Sequence, residues 1–107
     1  MFARVIEFYP RMEMKEELVK KIRKEVLPIL KKEHGFLEIL PLFPEIKTEK
    51  VVAITLWTEK RDAERYERET YPRVEDIIRP YLATLVTFKH YEVETTLCEH
   101  FVEVLAA

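Results

Sequence analysis

The residues of this 107-residue chain best placed to do chemistry are ionisable groups set into apolar, strand-like runs. Arg4 and Glu7 interrupt "FARVIEFY", Glu38 interrupts "FLEILPLF", and Lys89, His90 and Glu92 interrupt "LVTFKHYEVE". Histidine has an ordinary pKa near neutrality, so His90 is the natural candidate for a general base. Arg4, always charged, is the natural candidate to hold an anion. The plainer reading is an ion pair at a sheet rim or interface, because an unpaired buried charge costs several kcal/mol.

A second set is aromatic. Trp57 closes the run "VVAITLW", and Tyr66 and Tyr71 follow within "TEKRDAERYERETYP". Such side chains can wall a pocket for a flat aromatic ligand between sheet and helices. They can equally be core: each buries about 150–250 Å², an upper-bound stabilisation of about 4–6 kcal/mol at ~25 cal/mol per Å². His34 falls in the last turn of a helix, where capping explains it. Cys98 and His100 form a C-x-H pair on the tail. Two ligands without further partners make no metal site, so none is expected. The run "EKRDAERYERE" reads as a solvated helix face, with Glu64–Arg68 as its i, i+4 ion pair.

These groups need elements to position them. Residues 2–9 are rich in β-formers and predict a first strand, ended by Pro10. From about Glu13 the period changes. Leu18, Ile22, Val26, Ile29 and Leu30 recur at helical spacing, with Pro28 expected to kink the helix or break it one turn earlier. Gly35, the only glycine, follows Lys31, Lys32 and His34, as a helix C-terminus should. Residues 36–43 predict a second strand, which Pro41 places at a sheet edge or bulge. Residues 51–57 predict a third. Thr58 is expected as N-cap of the next helix. Ala63, Tyr66 and Thr70 share a face of it, and Val74, Ile77, Ile78 and Tyr81 continue the stripe. Residues 85–94 predict a fourth strand, and Leu97, Phe101, Val104 and Leu105 a short terminal helix.

The order β-α-β-β-α-β specifies an α+β, ferredoxin-like domain with a four-stranded antiparallel sheet. It is expected to span residues 1–95, with 96–107 as a C-terminal extension packed on the domain or its partner. The second and third strands are apolar on both faces, yet two helices cover only one face of such a sheet. A homodimer packed through its sheet faces is the expected solution.

Composition sets the outer bounds. A chain this long makes one domain with one modest core. With 18 basic and 20 acidic residues interleaved, no broad basic stripe is available for nucleic acid. No apolar run approaches the roughly 20 residues needed to span a bilayer, and "MFARVIEFYP" lacks the layout of a signal peptide. The lone Cys98 agrees with a cytoplasmic home. Serine, asparagine and glutamine are all absent, so serine-nucleophile chemistry is excluded. Their depletion beside abundant Glu, Lys and Arg matches thermophile composition and would match an engineered sequence equally well.

Two segments carry a family resemblance: "EVLPILKKEHGFLEI", a helix closing into Gly-Phe and a strand, and "VAITLWTEKRDAERYE", a strand ending in Trp before an Asp-Ala helix. With Tyr71-Pro72 and "VTFKHYEVE", these resemble the antibiotic biosynthesis monooxygenase-like (ABM) domains of the dimeric α/β-barrel superfamily, over about residues 1–95. The resemblance implies a dimeric barrel. It also implies one of three outcomes: oxidation of aromatic polyketides or quinols without metal or flavin, haem degradation, or no known activity. The haem-degrading branch carries an Asn on the first strand, absent here, and a Trp and a His on the second helix, where this chain has Tyr66 and Asp76. Haem degradation is therefore disfavoured, although His34, His90 or His100 could each serve as an axial ligand. The expectation that remains is a cofactor-independent monooxygenase of small aromatics or quinols. In it His90 removes a phenolic proton, the carbanion reduces oxygen and Arg4 holds the anion. The alternative is a non-catalytic ligand-binding or structural homodimer of the same fold.

Overall fold

Alternating apolar and β-branched residues build a four-stranded antiparallel sheet in the order β2-β3-β1-β4. Its strands are β1 (Phe2–Phe8), β2 (Phe36–Leu42), β3 (Val51–Trp57) and β4 (Thr87–Glu92). The computed structural model describes residues 1–11 and 13–97. Between β1 and β2 run α1 (Lys15–Lys21), a π-helical turn (Ile22–Val26) and α2 (Leu27–Lys31). Between β3 and β4 run α3 (Lys60–Glu69) and α4 (Tyr71–Ile78). The fold is thus α+β and ferredoxin-like, as the order of elements in the sequence implies.

Proline governs the departures from regularity. Pro28 has no N–H to donate, and the helix widens into the π turn just upstream instead of breaking. Pro72 opens α4 and separates it from α3 at Thr70, whose hydroxyl donates to Glu33. Pro41 lies on β2, an edge strand, as expected. The register shift of that strand comes earlier, between Phe36 and Glu38. Thr58 does not cap α3. Glu59 holds the N-cap position, and the Thr58 N–H donates to the Gly35 carbonyl at 2.8 Å. Nor does Glu64 pair with Arg68: it lies 3.9 Å from Lys60, and Arg68 turns to Glu69 at 3.5 Å. Thr95–Leu97 form a short 3-10 turn, and the rest of the expected terminal helix lies outside the described residues.

Gly35 fits for two physical reasons. Its φ of +82° is left-handed, and a Cβ there would stand 2.3 Å from Asp62 Oδ2. That close approach seats the buried Asp62 carboxylate, with Arg65 Nη2 at 3.4 Å and His34 Nε2 at 3.9 Å.

Strand register assigns the faces. Phe2, Arg4, Ile6 and Phe8 share the helix side of the sheet with Trp57, Thr55, Ala53 and Val51, their partners on β3. On that side the core forms around Leu18, Val26, Leu30, Tyr66, Val74 and Ile78. The opposite face carries Leu40, Leu42 and Tyr91, all exposed, and Val52 and Ile54, half-buried. Its one cross-strand ion pair among the described residues joins Lys89 Nζ to Glu7 Oε1 at 3.2 Å.

Candidate functional site

The most unusual buried residue is a cation on a central strand. Arg4 is only 2% exposed, although Arg is almost never fully buried unless paired. Antiparallel register sets it between Thr55 on β3 and His90 on β4, on the helix side. Its guanidinium lies in an aromatic cage: Cζ is 4.1 Å from the Tyr71 ring centroid, 4.8 Å from Phe88 and 5.5 Å from Tyr66. Desolvated cation–π contacts of this kind are worth about 2 kcal/mol. They leave part of the hydrogen-bonding capacity of the guanidinium unused. Among the described residues, Arg4 Nε and Nη2 and the Tyr71 hydroxyl are buried without a hydrogen-bond partner.

One carboxylate links this corner to the histidine. Glu67 Oε2 is 2.9 Å from His90 Nε2, and Glu67 Oε1 is 3.6 Å from Arg4 Nε. The first distance is a hydrogen bond, while the second is an ion pair too long to be one. When neutral, His90 makes that bond as an Nε2–H donor to the carboxylate, which leaves Nδ1 with the free lone pair. The ring also stacks on Phe2 at 6.0 Å and remains 41% exposed. Register and the α3 carboxylate therefore bring a solvent-reachable imidazole and a buried cation to one site.

Burial pushes the Tyr71 hydroxyl up to about 12, with the Glu75 charge adding to it and the Arg4 charge opposing it. Burial likewise raises Tyr66, again against Arg4. Both phenols are therefore protonated near neutral pH and available as donors.

Arg4, Tyr66 and Tyr71 line a cavity of about 40 Å³ between sheet and helices, otherwise walled largely by Ile6, Leu18, Val26 and their apolar neighbours. Drug-sized ligands occupy roughly 300–1,000 Å³, so this space in its present form suits at most a few waters. Trp57 is not one of its walls. It is 0% exposed, packs edge-on to Phe36 at 5.6 Å and tilts against Tyr66 at 4.9 Å. Its ring N–H donates to Thr55 Oγ1 at 2.9 Å, and Thr55 Oγ1 donates to the Arg4 carbonyl at 3.3 Å. Among the residues singled out in the sequence, Arg4, His90, Tyr66 and Tyr71 thus converge on one corner, and Trp57 buttresses it from behind. No group of three or more His, Cys, Asp or Glu side chains suited to a metal occurs among the described residues.

Two members of the site escape the reading of the sequence alone. Glu67 looks like one more charge on a solvated face, yet it follows the buried Ala63 by one helical turn and so belongs to the inward face. Phe88 reads as ordinary strand apolarity, and only the pairing of β4 with β1 brings it over Arg4.

No family profile matches the chain, and no curated protein matches it. Solved structures do. SnoaB from Streptomyces nogalater, a cofactor-independent oxygenase, superposes with a TM-score of 0.72 at 16% identity, covering 92% of this chain and 97% of its own. A protein from Nitrosomonas europaea named "Putative antibiotic biosynthesis monooxygenase" gives 0.67 at 15% identity, over 88% and 99%. A conserved protein from Methanosarcina mazei gives 0.67 at 12% identity, over 88% and 94%. At these identities the likeness establishes the fold: the chain adopts the architecture of the antibiotic biosynthesis monooxygenase domains.

Proposed function

We propose that this protein is a cofactor-independent monooxygenase of small aromatic or quinol substrates, working as a homodimer in the cytoplasm. The observation that carries this reading is the Glu67 carboxylate spanning His90 and Arg4, beside buried donors that lack partners. His90 takes the phenolic proton, and Arg4 stabilises the resulting phenolate, a preorganised charge in a low-dielectric corner. The electron-rich ring passes one electron to dioxygen. The ring radical and superoxide combine into a carbon–oxygen bond, giving a peroxide anion on a ring carbon that still bears its hydrogen. The protonated His90 returns its proton to that peroxide. The C–H proton then leaves as the O–O bond breaks and joins the departing hydroxide, so that water leaves and the ring carbon becomes a carbonyl. Dioxygen supplies both oxygen atoms, one to the product and one to water, and the substrate supplies all four electrons. No flavin or metal is required by this balance.

The test is oxygen consumption against a panel of quinols and phenols. Positioned general bases contribute about 10²–10⁴-fold, so His90→Ala should lower turnover about a hundredfold. Unchanged turnover of every accepted substrate would remove His90 from the mechanism.

The small cavity favours a second reading, a ligand-binding or structural homodimer of the same fold. Absence of oxygen uptake across the whole panel would select it. In both readings the dimer forms through the outer sheet face, where Leu40, Leu42 and Tyr91 are exposed beside Val52 and Ile54. Residues 96–107 then serve as an extension outside the 1–95 domain. Elution at the 12.9 kDa monomer mass in gel filtration would refute the dimer.

A further inference from the structure

Buried donors without partners are few in native proteins, and each costs about 1–3 kcal/mol unless something satisfies it. Three such atoms meet in one corner here, on Arg4 and Tyr71. The aromatic that covers this corner differs from the rest of the cage. Tyr66 and Tyr71 are buried in the core, but Phe88 lies on the edge strand β4 and is 40% exposed. Its ring stands 4.8 Å from Arg4 Cζ and meets Tyr71 edge-on at 5.4 Å and 85°. Phe88 therefore has solvent on one side and the unsatisfied donors on the other. An edge strand bonds to a neighbour on one side only, so its side chains can rotate outward without disturbing the sheet.

Resting on the reading that this site takes an aromatic substrate, we propose that Phe88 occupies the ring position of a single-ring phenol or quinol. The ligand displaces the Phe88 ring and sets its oxygen on the Arg4 and Tyr71 donors. Phe88 is thereby the residue that determines ring size. The arithmetic of space supports one ring. A dry cavity of about 150 Å³ accepts benzene; the enclosed 40 Å³, which Phe88 does not line, is too small, so a ring must take the place that the Phe88 ring vacates, and that place holds one ring. The facing charges agree with a phenol more than with a permanent anion. Glu67 already faces Arg4 at 3.6 Å and would repel a carboxylate, whereas a neutral hydroxyl can enter and yield its proton to His90.

The experiment is an amide NMR titration of the full chain with phenol, benzene and benzoate. It reads binding without any oxygen turnover, so it succeeds or fails independently of catalysis. If the binding-competent state is about a tenth populated in the native chain, removing the plug should tighten phenol about tenfold. Phe88→Ala, half-exposed on an edge strand, is expected to fold normally and show that gain, while Phe88→Trp should weaken phenol. Adding Tyr71→Phe to Phe88→Ala should bring phenol down toward benzene. The proposal is overturned if Phe88→Ala leaves phenol affinity unchanged. It is equally overturned if that variant binds benzene or benzoate as tightly as phenol.

Discussion

Trp57→Ala should remove about 3–5 kcal/mol of folding stability, the range for deleting a fully buried large aromatic. Domains of this size are stable by only about 5–15 kcal/mol, so the variant should lie close to unfolding at ambient temperature. Three losses combine. The indole is wholly buried between Phe36 and Tyr66, so alanine leaves a cavity that two rings would have to collapse into. The bond to Thr55 Oγ1 disappears as well. Thr55 in turn holds the Arg4 carbonyl, so the strand that presents Arg4 loses a support. Trp57→Phe keeps most of the volume and should cost about 1–2 kcal/mol, close to a lost buried hydrogen bond with some void. Urea denaturation followed by far-UV circular dichroism is the measurement, because both variants lack the only tryptophan. A loss below about 1 kcal/mol for Trp57→Ala would show that the junction repacks and that Trp57 is not a structural keystone.

Arg4→Met is expected to act in the opposite sense on stability while abolishing function. Methionine fills a similar volume with no polar atoms, so Nε and Nη2, buried without hydrogen bonds, are removed together with their desolvation cost. The cation–π contacts are lost too, worth about 2 kcal/mol, but sulfur–aromatic contacts replace part of that. Glu67 keeps its His90 bond and is partly solvated, so it is not stranded as a buried charge. The balance is a gain of about 1–2 kcal/mol, from removing donors that each cost about 1–3 kcal/mol. Turnover of phenols should fall about 10²–10³-fold, the usual effect of deleting one preorganised stabiliser of a developing oxyanion. Thermal unfolding and oxygen uptake on the same preparation give both readouts. A variant that is both inactive and destabilised by more than about 1 kcal/mol would mean that Arg4 serves the core. The expected split is the stability–activity trade-off of a functional group held at a cost to the fold.

The legible parts of this protein are those written in local patterns. Period-two apolar runs at Phe2–Phe8 and Val51–Trp57 specify strands, because side chains alternate across a pleat. Helical spacing from Leu18 to Leu30 specifies an amphipathic helix, and Pro28 the place where its hydrogen bonding must change. The sequence also shows Arg4 and His90 on strands expected to be neighbours, which is why they could be singled out together. Capping and surface pairing were less legible. Thr58 against Glu59 is a choice worth about 1 kcal/mol, and Arg68 against Glu64 only a few tenths, and tertiary contacts overrule both. Glu67 was hidden for a related reason. A glutamate among seven other charged residues on α3 declares its role only when the helix docks and one face turns inward.

By itself the amino-acid sequence determined the element order, the ferredoxin-like class and the candidate residues Arg4 and His90. These follow from periodicity, proline and glycine placement and side-chain type, all of which act within a few residues. Tertiary structure alone decided how those candidates combine. It placed Trp57 behind the site and not within it, put the Glu67 carboxylate between His90 and Arg4, and laid Phe88 over donors left without partners. The Glu67 and Phe88 relations join residues more than twenty positions apart in the chain. Such distances are set by strand register and helix docking, which no local pattern encodes.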